Sequence, residues 1–319
     1  MKILFITSSR LGDAVLSTGL LGYITRNHPS ASVTIVAGPI AASLFAGYPG
    51  LNKVISLEKH KYSLHWFDLW RQVVGTKWDI VVDMRNSAVS RLIHARQRFI
   101  LGGQDSSRHK VEQAAQVMKL GSVPSPEVWF THGQRNAAER FIPAGGAVLG
   151  VGPAANWQGK MWPAERFIEI VRHITGPSGI LPGARVAVFA APGEESVAME
   201  VLNSVPAERQ INMIAMADAG TVAAALARCA LYIGNDSGLM HTAAAGGVPT
   251  LGLFGPSYPH LYRPWGAHAD YVSTPESYDA LVAYEDYDPA TAPSLMTSLS
   301  VEAVRERLEK FRAKLKAIA

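Results

Sequence analysis

The stretch YIGNDSGLMHTAAAGGVPTLGLFGPS, residues 232–257, decides the fold. Leu231-Tyr232-Ile233 reads as a buried strand that breaks at Gly234, and Asn235, Asp236 and Ser237 fill the turn. A small-residue helix carrying His241 starts at Gly238, and a second apolar strand, Thr250-Leu251-Gly252-Leu253-Phe254, stops at Gly255-Pro256-Ser257. Strand, turn, helix and strand in that order form the repeating unit of a parallel sheet. The polar residues crowd where the helix begins. Its first N–H groups lack internal partners and carry partial positive charge, so that end attracts an anion. Capping by Asp236 or Ser237 is the plainer use. A cap needs only one polar residue, however, and here three stand beside a glycine that lets a ligand reach the backbone. A nucleotide diphosphate is the natural guest, with His241 about a turn inside the helix and facing the same ligand. The serine stands one place too late for a nucleophile elbow.

The same alternation runs both ways along the chain. Strands are expected at 2–7, 32–37, 53–57, 79–83 and 97–101, with helices starting near Gly12, Pro39, Ser63, Ser87 and His109. Residues 121–146 are rich in Gly, Pro and Ser and hold the expected domain boundary. Strands resume at 147–151, 185–190, 210–214, 230–233 and 249–254, with helices from about 163, 194, 219 and 238. Val301, Val304, Leu308, Phe311, Leu315 and Ile318 recur at three- and four-residue steps, so the tail is an amphipathic helix. The fold class is α/β, with Rossmann-like, doubly wound domains at 1–143 and 144–299 and the helix at 300–319. Ligands of such sheets bind beyond the carboxyl ends of the strands. Two facing sheets make a cleft lined by loops 8–13, 152–161, 191–195, 234–238 and 255–258.

With 319 residues, 48% of them hydrophobic, the chain buries a core large enough for two domains. A formal net charge of +4 suits anionic partners. Nucleic acid fits poorly, because no dense Lys/Arg run or RNA-binding motif is present. The single cysteine, Cys229, excludes an internal disulfide and fits a reducing compartment. Met1–Ile6 reads as a first strand rather than a signal peptide. Nowhere do eighteen apolar residues run together, so no membrane-spanning helix is expected. The expected location is cytoplasmic.

Three further loops carry chemistry. Lys160, in Gly152-Pro153-Ala154-Ala155-Asn156-Trp157-Gln158-Gly159-Lys160-Met161-Trp162-Pro163, is delivered just ahead of a helix. That loop is not a phosphate-binding Walker loop, since Met161 stands where Ser or Thr is needed. Asp13, in Ser8-Ser9-Arg10-Leu11-Gly12-Asp13, either favours the helix dipole or acts as a general base. No GxGxxG follows the first strand, which argues against a dinucleotide. Asp286-Tyr287-Asp288 invites a metal, but it lies off any strand end and reads as a solvated turn. No His/Cys group has zinc spacing, so neither metal nor cofactor is expected. Arg85, Arg91, Arg96, Arg98, Arg108 and Lys110 make the first domain basic, suiting an acceptor with carboxylates or phosphates.

Taken together, Arg10-Leu11-Gly12-Asp13, Lys160-Met161-Trp162-Pro163, Asp236-Ser237-Gly238-Leu239-Met240-His241 and Phe254-Gly255-Pro256-Ser257 resemble the ordered motifs of the glycosyltransferase family 9 heptosyltransferases. The likeness spans residues 2 to about 260; residues 258–299 match no part of it. It implies a GT-B fold whose last helix crosses back to the first domain, and inverting, metal-independent transfer from ADP-heptose to a lipopolysaccharide core or lipid A-linked acceptor. Asp13 would be the base. Lys160, Asp236, Ser237, Gly238 and His241 would hold the diphosphate, and Glu194 or Glu195 the ribose unless they merely start a helix. Arg10, Arg85, Arg91 and Arg108 would meet the anionic acceptor. A lipid-linked acceptor implies peripheral contact with the inner face of the inner membrane. The tail offers a basic outer face for it, with six Lys/Arg from Arg305 to Lys316 against Glu302, Glu306 and Glu309. Competing readings are a transferase using another nucleotide sugar, a nucleotide-sugar 2-epimerase and a non-catalytic nucleotide binder.

Overall fold

The computed structural model of the chain describes residues 1–319 apart from Gln104, Asp286 and Ala319, with Ile318 given by its backbone alone. The strands are β1 (Lys2–Ile6), β2 (Ser32–Ala37), β3 (Leu51–Ser56), β4 (Trp78–Asp83), β5 (Ala95–Ile100), β6 (Val148–Gly152), β7 (Arg185–Ala190), β8 (Gln210–Ile214), β9 (Leu231–Asn235), β10 (Thr250–Phe254) and β11 (Ala269–Ser273). The chain divides into two compact units, Met1–Arg135 with Asp218–Thr221 and Asn136–Ala217 with Val222–Ala319. Gly220 N donates to Ser43 Oγ at 3.1 Å within the first of these.

The first unit holds a five-stranded sheet in the order β3-β2-β1-β4-β5, with every pair parallel. Its central strands carry apolar runs such as Ile3–Ile6 and Ile80–Val82, as in parallel sheets covered on both faces. Ile3, Leu4, Phe5 and Ile6 are fully buried. The second unit holds six parallel strands in the order β11-β10-β9-β6-β7-β8. In each sheet the chain winds outward on one side, returns to the middle and winds out on the other. The strand order therefore reverses between β1 and β4 in one unit and between β6 and β9 in the other, where ligand crevices of such sheets open. Both units have the Rossmann-like, doubly wound character expected of them.

Two features depart from the sequence reading. β11 lies where no strand was expected, and it extends the sheet beside β10. A helix, His132–Phe141, occupies the middle of the breaker-rich stretch. The tail helix, Val301–Ile318, is amphipathic as expected, and its apolar stripe turns into the second unit. Val301, Val304, Leu308 and Phe311 are buried in the second unit's core with Phe167, Ile170 and Ile174. Arg305 pairs with Glu169 at 2.8 Å, Arg307 pairs with Asp270, and Lys314 Nζ donates to the Ala269 carbonyl at 2.9 Å. Burial of the apolar stripe decides where this helix lies. No helix among the described residues is long and apolar enough to cross a membrane.

Candidate active site

In the second unit the crevice forms where β6 and β9 run side by side, with Gly152 opposite Gly234. Fully buried Asn235 ties their loops together. Its Nδ2 donates to the Pro153 carbonyl at 2.8 Å, and its Oδ1 accepts from Trp162 N at 3.1 Å. Between those two anchors lies Lys160, whose Nζ stands 2.6 Å from Asp236 Oδ2. His241 Nε2 is 3.8 Å from the other oxygen of the same carboxylate. Asp236 is 7% exposed, and a carboxylate so deeply placed requires partners. It fixes the ammonium beside the start of helix Gly238–Ala245, where the first N–H groups already favour an anion. Of the predicted donor residues, Lys160, Asp236, Ser237, Gly238 and His241 thus converge on one spot.

Ser237 occupies the N-cap position, yet its side chain makes no capping bond. Its Oγ is buried close to the Tyr232 hydroxyl, but neither atom has a hydrogen-bond partner of good geometry among the described residues. The capping use is therefore not what this serine does. Burial pushes the Tyr232 phenol up, so it keeps its proton. The ring of Tyr232 rests against Gly152 and Gly234, the two glycines at the strand ends.

Glu194 and Glu195 follow β7 on the same edge of the sheet. Glu194 is half-buried and its carboxyl is shifted upward, by burial first and by Glu195 to a lesser degree, against a bond from Ala191 N at 3.1 Å. Glu194 also bears electrostatically on Tyr232. Glu195 is exposed and is held low by the Gly193 N–H, which turns it toward its own loop. Of the two, Glu194 is the half-buried one. Sequence reasoning missed the segment that supports Lys160. Trp157 Nε1 donates to the Pro289 carbonyl at 2.6 Å, Leu295 N to the Gly159 carbonyl at 3.0 Å and Ser294 Oγ to the Met161 carbonyl at 2.5 Å. Residues 289–295 therefore splint the lysine loop. Asp286 lies outside the described residues, while Asp288 caps its own turn, accepting from Ala290 N at 2.8 Å.

In the first unit Asp13 sits in helix Leu11–Leu16, just past β1 and partly exposed. Lys110 opens helix Lys110–Val117 near it. Burial lowers the Lys110 pKa and the charge of Asp13 opposes that shift. The basic residues separate by what they bind. Arg85 lines a crevice with Lys59 and His65 beyond β1, β2 and β3, and its guanidinium lies 5.5 Å above the Trp66 ring. Arg10 is exposed at the head of the Asp13 helix. Arg91 closes its own turn on Ser87 O (3.0 Å) and Asn86 Oδ1 (2.6 Å), and Arg108 pairs with Asp105 at 3.0 Å. Arg98 is spent on the backbone carbonyls of Ser90, Ile93 and Ala95. The structure brings Arg85 to a crevice and leaves Arg91 and Arg108 on local partners.

The model of the family described as glycosyltransferase family 9 (heptosyltransferase) matches residues 110–287, more than half of the chain. The lipooligosaccharide heptosyltransferase 2 of Haemophilus influenzae is 23% identical, over 98% of this chain and 100% of its own. A solved family 9 glycosyl transferase from Veillonella parvula superposes with a TM-score of 0.79 at 23% identity, covering 99% of this chain and 97% of that one. The structure of the Escherichia coli ADP-heptose lps heptosyltransferase II does so with a TM-score of 0.71 at 20% identity, covering 100% of both chains.

Proposed function

The chain belongs to glycosyltransferase family 9 (heptosyltransferase), and from that premise we propose that it transfers a heptose from ADP-heptose to the saccharide of a lipopolysaccharide core acceptor, with inversion. The observation that carries this reading is the Lys160–Asp236–His241 cluster at the β6/β9 crevice, its carboxylate and imidazole buried, seated on a helix N-terminus. Such a site suits a diphosphate that gains charge as it leaves. Similarity to proteins named for ADP-heptose and lipooligosaccharide supports the choice of donor and acceptor.

Each group then has a task. Lys160 and the amides at Asp236–Gly238 neutralise the departing ADP as the bond between the anomeric carbon and the phosphate oxygen breaks. Asp13 takes the proton from the acceptor hydroxyl as its oxygen forms the new bond to that carbon. Lys110 sets an ammonium beside the base. Glu194 accepts hydrogen bonds from the ribose. Arg85 with Lys59 and His65, helped by Arg10, receives anionic groups of the acceptor. The lipid-linked acceptor would bring the enzyme to the inner face of the membrane as a peripheral protein.

Mass spectrometry of products from a panel of nucleotide sugars and deacylated inner-core acceptors tests this. Transfer from ADP-heptose, adding one heptose to the acceptor, is the expected result. Transfer only from another nucleotide sugar, or an altered donor with no acceptor present, would replace the reading with a different transferase or an epimerase.

A further inference from the structure

We propose that the face of the first unit built by helices His65–Val73 and Val89–Leu92 seats on an anionic lipid bilayer. This gives the proposed lipid-linked acceptor a docking surface, and to that extent rests on the preceding reading. The face itself stands on its own observations. Leu64, Phe67 and Leu92 are 57%, 56% and 66% exposed. They are contiguous, since the Phe67 ring stacks on Trp70 at 5.8 Å and Trp70 Nε1 donates to the Leu92 carbonyl at 3.4 Å. Tyr62, 93% exposed, stands at the rim. Tyr62 and Ser63 both adopt left-handed backbone, at φ 56° and 59°, which a side-chain-bearing residue does not adopt without cost. The chain thus turns sharply just ahead of helix His65–Val73. An exposed apolar patch rimmed by polar groups marks an interaction site.

Charge selects the occupant. Residues 58–98 contain eight Lys/Arg and four Asp/Glu, a net of +4 that equals the formal charge of the whole chain; the remaining 22 cations and 22 carboxylates balance. Lys61 and Arg71 lie exposed beside the apolar groups. Aromatic and aliphatic side chains among cations are what an anionic interface binds. A second copy of the chain is disfavoured, because a self-complementary contact would press like charges together. The tail helix is also basic, but its apolar stripe is buried in the core and three of its cations are already engaged. It has charge without anything to insert.

Flotation of the full chain with phosphatidylcholine–phosphatidylglycerol vesicles at low salt tests the proposal. The chain should float with the mixed vesicles and far less with phosphatidylcholine alone. Leu64→Ser/Phe67→Ser/Leu92→Ser should abolish flotation while keeping the native melting temperature. Lys61→Glu/Arg71→Glu should weaken it about fivefold or more for each lost cation, and Lys310→Glu/Lys316→Glu should leave it unchanged. A wild-type chain that never floats, or one released by the tail variant alone, would overturn the proposal. So would a dimer in sedimentation velocity that the triple serine variant dissolves, since a second copy would then own the face. Transfer to a water-soluble acceptor, measured on the same proteins, separates the two readings: if it fails in the wild type, the functional assignment falls while the flotation result stands.

Discussion

A side-chain carbon on Gly152 would stand 1.9 Å from the Tyr232 hydroxyl, and one on Gly234 would stand 2.6 Å from it. The tyrosine lies where two neighbouring strands both lack side chains, and its oxygen reaches the edge at which the β6 and β9 loops depart. Gly152→Ala should therefore push the ring off the sheet, at a loss of about 1–3 kcal/mol from overpacking. Tyr232→Phe removes a buried hydroxyl that lacks a good partner, so by itself it should be neutral or stabilising. Together the two changes should lose less than Gly152→Ala alone. Thermal melts of the three variants check this, and simple additivity would show that the contact does not matter.

Lys160→Met should weaken ADP binding about 10–100-fold, the range supplied by a hydrogen bond between charged groups. It also strands the Asp236 carboxylate, at a stability loss of about 3 kcal/mol. Adding Asp236→Asn should restore most of the stability and none of the affinity. Calorimetry with ADP and urea melts separate these outcomes. An unchanged ADP affinity in Lys160→Met would move the diphosphate elsewhere.

Asp13→Asn should leave ADP affinity near the wild-type value and cut turnover by at least about a hundredfold, the lower end of general-base catalysis. A helix-dipole role would instead lose at most about 1 kcal/mol of stability with little effect on rate. A folded Asp13→Asn enzyme retaining more than a tenth of wild-type turnover would falsify the assignment.

Cys229 is buried, and desolvation pushes its thiol up to about 12. At pH 8 its thiolate should be roughly a thousandfold scarcer than that of a free cysteine, so a disulfide reagent should label it only after unfolding. The sign for stability follows. Above about pH 8.5 the unfolded thiol loses its proton while the folded one keeps it, so stability falls by about 1.4 kcal/mol per pH unit from this group. Urea melts between pH 8 and 10 should show a shallower decline in Cys229→Ala. Identical slopes would show that the thiol is not desolvated.

The central strands were legible because a strand buried on both faces is a short apolar run, while the mostly exposed edge strands β3 and β5 were read from their place in the alternation. β11 was not, because Ala269-Asp270-Tyr271-Val272-Ser273 is an edge strand with a carboxylate inside it. Helix His132–Phe141 hid for a related reason, carrying few apolar residues to set a period. The tail's periodicity announced a buried stripe, but periodicity names no partner, and the stripe went to Phe167 and Ile170. The crevice residues were legible from their place between a strand and a helix. What each side chain binds was not. Arg85 and Arg98 look alike in sequence, yet one lines a crevice and the other holds three carbonyls. Glu194 and Glu195 likewise differ only in which way the chain turns them.

Asn235 binds the Pro153 carbonyl across 82 residues of chain, and Lys160 meets Asp236 across 76. Both links close only when β9 has slotted in beside β6, after the chain has gone out through β7 and β8 and come back. Closing so long a loop is slow, because its entropy is spent before any contact repays it. During synthesis the ribosome must deliver the chain through β9 and its loop before Lys160 has its carboxylate partner. A fragment ending before Asn235 would leave the Lys160 ammonium without Asp236 and the β6 loop without its tie to β9.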